Sequence, residues 1–189
     1  NVFMYFDKHV LFENMRKAKD MLNETGFFIF GSVVDLGYAA KYTVYQKRGD
    51  TFIPRFFGLD LGKFSQREGN GWWAFSKDQP DTLFLAKIVS MIADNTELFG
   101  KLTTIIDDVE QTLDYSYRDQ NGFYHAKNFI NLTKDYDALN RKIAKECKDE
   151  ITGFLESMGI CARVTPFWHV VIDLSQSKRE CVEQYFPTL

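Results

Sequence analysis

FFIFGSVVDLGYAAKYTVYQKRGDTFIPRFFGLDL, residues 27–61, decides the fold. Three runs rich in β-branched and aromatic residues, FFIFGSVVDL, AAKYTVYQK and TFIPRFFGLDL, are separated by Gly37-Tyr38 and by Arg48-Gly49-Asp50. Such side chains suit a pleated, half-buried surface, and Gly with Asp supplies the turns between strands. The spacing predicts three antiparallel strands over 27–35, 39–47 and 51–61. In the second run Tyr42, Val44 and Gln46 alternate with Lys41, Thr43 and Tyr45, as expected of a sheet covered on one face. Pro54 has no N–H to give to a ladder, so the third strand lies at an edge or carries a bulge there.

Working outward, Asp7 offers an N-cap to a helix over 8–25, with Leu11, Phe12, Met15, Ala18, Met21 and Leu22 at helical spacing and Gly26 as its stop. Beyond the strands, a polar loop at 62–71 leads to WWAF, 72–75, a candidate fourth strand. Ser76 or Asp78 is placed to cap a helix with Pro80 near its first position. Leu83 to Ala93 is apolar nearly all round, as a central buried helix would be. A further helix starts at Thr96, its stripe running from Leu98 and Phe99 to Leu113. Around Asn121-Gly122, residues 113–126 fit a hairpin or an inter-helix loop equally well. Residues 132–158 form the longest periodic segment and stop at Gly159. ICARV and FWHVVIDL then read as a strand pair bent at Pro166, and SKRECVEQYF as a short final helix. KAKDMLNETGFFIF and EITGFLESMGICAR both run from amphipathic helix through Gly to strand, which suggests two α–β–β elements sharing one sheet. The expected architecture is a single α+β domain over 1–189. It has one mostly antiparallel sheet of four to six strands, with three or four helices packed on one face.

Composition narrows the function classes. Apolar residues make up 45% of the 189 and charged residues 26%, ordinary for a globular chain, whereas 18 Phe raise the aromatic share to 16%. A net charge of −3 with interleaved signs gives no basic face, which disfavours generic binding to a phosphate backbone. Cys147, Cys161 and Cys181 show no metal-ligand spacing and read as reduced thiols of a cytoplasmic protein. No apolar run approaches the length of a membrane span, so no membrane partner is expected.

Candidate chemistry gathers at strand ends. VVDLG (33–37), GLDLG (58–62) and VIDLS (171–175) each leave an apolar run through an Asp. Asp60 and Asp173, with Asp35 as a third, would hold Mg²⁺ for phosphoryl transfer or nuclease chemistry if they converged. The plainer reading is that Asp ends strands because its side chain supports turns. His169, in PFWHVVI, is a candidate base in the same catalytic reading, although a single strand histidine is commonly a structural hydrogen-bonder. No phosphate-binding glycine motif is present, and no cofactor is expected outside the Mg²⁺ alternative.

Trp72-Trp73 is the other outstanding feature. Adjacent strand residues face opposite ways, so one ring can enter the core while the other points out beside Arg67 and Glu68. Aromatic rings with Arg are the usual anchors of protein interfaces. Gly26-Phe27, FFGLDLG and GWWAFS, in that order across residues 10–110, resemble uncharacterised bacterial proteins of the domain-of-unknown-function type. That resemblance implies a small bacterial or phage-type protein, some of whose relatives resemble toxin-neutralising or defence-associated partners; it brings no catalytic motif. The leading expectation is a non-enzymatic protein-binding module anchored by Trp72, Trp73, Arg67 and Glu68. The alternatives are the metal-dependent enzyme using Asp60 and Asp173, and a regulatory domain with an aromatic-lined ligand pocket.

Overall fold

A computed structural model of the chain describes residues 6–34, 39–60, 79–110, 129–166 and 169–189. The expected strand at 72–75, the loop before it and the 113–126 segment lie outside these residues. In chain order the elements are α1 (Lys8–Met21), β1 (Phe27–Val34), β2 (Ala39–Arg48), β3 (Thr51–Asp60), α2 (Pro80–Asp94), α3 (Thr96–Glu110), α4 (Phe129–Ser157), β4 (Ala162–Val164), β5 (His169–Asp173) and α5 (Arg179–Val182). The strands form one sheet in the order β1-β2-β3-β5-β4, every pair antiparallel. The two α–β–β elements therefore lie in one sheet with β3 between them, and the fold is α+β.

Directly paired residues share a face of an antiparallel sheet. The row Phe30–Thr43–Phe57–Ile172–Ala162 defines the covered face. Phe57, Leu59, Val170 and Ile172 are buried there with Phe84, Leu85 and Ile88 of α2, Leu98 and Leu102 of α3, and Ile143, Ile151 and Leu155 of α4. A second, smaller cluster sets Leu11 and Met15 of α1 against Phe30, Tyr45 and Phe52. Between Val44 and Tyr45 the register shifts: Val44 faces Phe56, Tyr45 faces Pro54, and Arg55 is the extra residue. Of the two outcomes open at Pro54, an edge strand or a bulge, the structure shows the bulge, and it has a consequence for packing. Phe52 and Phe57 are an odd number of residues apart, and only the extra residue brings both to the covered face.

Helix ends follow local chemistry modified by tertiary partners. Asp7 caps α1 by accepting from the Val10 N–H (2.9 Å). The helix stops at Met21, earlier than Gly26, because the chain must turn into β1: Lys47 Nζ donates to the Leu22 carbonyl (2.9 Å) and Thr25 takes φ 65°. The cap position of α2 is Gln79, not Ser76 or Asp78, and its Nε2 donates to the Phe6 carbonyl instead of capping its own helix. Nor is α2 buried all round, since Leu83, Ala86 and Ala93 are exposed. At the far end of α4, Ile160 N donates to Leu155 O and Gly159 N to Glu156 O (both 2.9 Å), the paired bonds of a Schellman motif, with Gly159 at φ +81°.

Gly159→Ala should therefore cost about 1–2 kcal/mol, since the new Cβ meets both a left-handed backbone and the Lys178 side chain. Gly153→Ala, mid-helix in open space, should gain about 0.5–1 kcal/mol. Urea midpoints of the two variants check this, and equal shifts of one sign would contradict it.

Candidate functional site

Polar chemistry collects at two places, one under the helices and one on the opposite face of the sheet. On β2 the covered-face positions are Lys41, Thr43 and Tyr45, all buried. Lys41, 1% exposed, extends to the first turn of α2, where its Nζ donates to Asp81 Oδ2 and to Thr82 Oγ1 (2.6 Å). Asp81 Oδ1 accepts from the Thr82 N–H (2.9 Å), so both carboxylate oxygens are used. Burial pushes the Lys41 amine below the ordinary lysine range, while the Asp81 charge and hydrogen bond pull it back up. Burial, reinforced by Asp81, raises the Tyr45 phenol. Among the described residues, Thr43 Oγ1 is buried without a hydrogen-bond partner.

The opposite face carries no described helix. Its central row is Gly31–Tyr42–Gly58–Val171–Arg163. A Cβ at Gly58 would overlap the Tyr42 ring, so the glycine is the hollow in which that ring lies. The ring also meets His169, centroids 6.0 Å apart. Burial raises the Tyr42 phenol and Arg163 partly offsets the rise. Toward β1 the face becomes apolar and exposed: Phe27 is 54% and Ile29 65% accessible, and the row Ile29–Val44–Phe56 continues inward from them.

The register places the sequence candidates. Asp60 is the Cα partner of His169, and Asp173 that of Phe56, four positions away on the same pair of strands. At about 3.3 Å per residue the two aspartates are separated by roughly 13 Å of strand, too far to share one ion. Asp173 is committed elsewhere: its Oδ1 accepts from Ser175 N (2.9 Å), Ser175 Oγ (2.6 Å) and Gln176 N (3.2 Å), the turn-forming role of a strand-end Asp. Positions 60 and 169 are brought together; 60 and 173 are not. Asp35, Arg67, Glu68, Trp72 and Trp73 lie outside the described residues. Among the described residues no His, Cys, Asp and Glu cluster suits a metal, and no helix is long and apolar enough to cross a membrane. The buried Lys41–Asp81 pair escaped the sequence reading, although a Lys alternating with Thr43 and Tyr45 on a strand was its visible trace. No known protein family, curated protein or solved structure matches the chain.

Two sets of variants probe these clusters. Lys41→Met or Asp81→Leu alone should cost about 3–5 kcal/mol by leaving a buried charge unpaired, and the double variant should recover most of the loss. A double-mutant cycle in urea reads this directly; strictly additive losses would refute the coupling. Gly58→Ala should expel the Tyr42 ring and lower stability by about 1–3 kcal/mol, and Tyr42→Ala in the same chain should remove most of that penalty, as the two urea midpoints would show.

Proposed function

We propose that this chain is a non-enzymatic protein-binding module that meets its partner with the sheet face on which no described helix packs. One observation carries the reading: Phe27 and Ile29 stand exposed two residues apart on β1, continuous with Val44 and Phe56. Large apolar side chains grouped on one face and rimmed by charge are typical of docking surfaces. Arg48 and Arg163, both exposed, bound this face on opposite sides. The partner chemistry that complements it is an apolar surface with carboxylates at its rim. Trp72, Trp73, Arg67 and Glu68 remain proposed anchors of the same interaction, and a toxin or defence protein is a partner of suitable kind. The separation of Asp60 from Asp173 supports binding over metal-dependent phosphoryl transfer.

The test is affinity capture with the immobilised protein and with its Phe27→Ser and Ile29→Asp forms, followed by titration of any captured protein. Both side chains are exposed, so stability should change by no more than about 0.5 kcal/mol. Affinity should fall at least about tenfold, the effect of losing an interface anchor. A partner held equally by all three forms would sink the proposal.

A further inference from the structure

A second recognition site opens at the side of β3 away from β2, where the line of strands beside β3 is interrupted. β5 pairs with β3 from Phe56 to Asp60, and Leu174 N donates to Arg55 O (3.0 Å). Further along, Leu189 exchanges both backbone bonds with Phe52 (2.7 and 3.0 Å). Ile53 and Pro54 lie between these contacts, at the base of a groove with about 590 Å³ of water-accessible space. Val182 and Phe186 complete an apolar floor; Ser175, Arg179, Glu183 and Thr188 stand around it. The volume is in the range of small-molecule sites.

The polar balance of the lip decides what would fit. Arg179 Nε donates to Glu183 Oε2 (2.7 Å) and its Nη2 to Glu183 Oε1 (2.6 Å). Each oxygen of Glu183 accepts one of these bonds, and of the five N–H groups of the guanidinium this pairing uses two. Ser175 Oγ already donates to Asp173. The lip thus carries three further N–H donors on one guanidinium, above an apolar floor. From this we infer that the groove binds a small carboxylic acid with an aliphatic or aromatic body. The body would lie over Ile53, Pro54, Val182 and Phe186, and the carboxylate would accept from the unused N–H groups of Arg179. Pro54 helps keep the site free for it, because a proline there offers no N–H to a competing strand.

The probe is sodium hexanoate, titrated against the full chain by amide chemical-shift changes, with hexan-1-ol and hexylammonium chloride as comparisons. Saturable shifts confined to residues 53–55 and 174–189, stronger for hexanoate than for either comparison, are the expected result. Arg179→Gln, at a side chain 84% exposed and therefore neutral for folding, should weaken hexanoate at least about tenfold. Glu183→Gln should leave binding intact or tighten it by releasing the guanidinium. Shifts that fail to saturate, equal binding of hexylammonium, or full affinity in Arg179→Gln would each overturn the assignment.

Discussion

A lysine amine and an aspartate carboxylate, taken out of water together, fix the helix layer on the sheet. Lys41 rises from the middle of β2 and Asp81 occupies the first turn of α2, so their contact sets where that helix begins. Neither charge is tolerable alone at this depth, since desolvating an ion costs several kcal/mol unless a partner and hydrogen bonds offset it. Three local features make the offset. Thr82 Oγ1 accepts a second bond from the amine, the Thr82 N–H holds the other carboxylate oxygen, and the positive end of α2 favours an anion at that place. Apolar burial alone would let α2 slide along the sheet, because it is non-directional. The ion pair admits one position.

That position is also the seam between the two apolar clusters. Tyr45 belongs with α1 and Phe52, whereas Phe84, one turn beyond Asp81, meets the Phe57 ring edge-on at 5.2 Å in the larger core. The bulge at Arg55 serves the same junction by turning Phe52 and Phe57 to one side of the sheet. A regular β3 would aim one ring at each face and leave either α1 or α2 without its contact. Gln79 adds a third tie, since its side chain reaches the Phe6 carbonyl ahead of α1 instead of capping α2.

Much of this was legible in the sequence, and the exceptions share a cause. The strands of 27–61, the bulge at Pro54, the Asp7 cap and the Gly159 stop all follow from bonds between residues close in sequence, so local chemistry predicts them. Helix α1 ends early, and α2 starts without a side-chain cap, because Lys47 and Phe6 supply partners from distant parts of the chain. The candidate site divides in the same way. Asp173 shows its turn-forming role in VIDLS, but the pairing of Asp60 with His169 rather than with Asp173 depends on the register between β3 and β5, which no single segment carries.

The alternation of β2 points beyond the fold. Its covered positions are Lys41, Thr43, Tyr45 and Lys47, and the positions on the opposite face are Tyr42, Val44, Gln46 and Arg48. Burial energy alone would favour the opposite assignment at the centre of the strand, placing Val44 under the helices and Lys41 in water. The ion pair with Asp81 reverses the preference, and a valine is thereby committed to the face without a described helix. Val44 is 8% exposed there, with Ile29 and Phe56 as its register partners, whereas Ile29 at the outer strand is 65% exposed. The interaction that fixes the helix layer thus also places apolar side chains on the opposite surface, where the proposed partner would cover them.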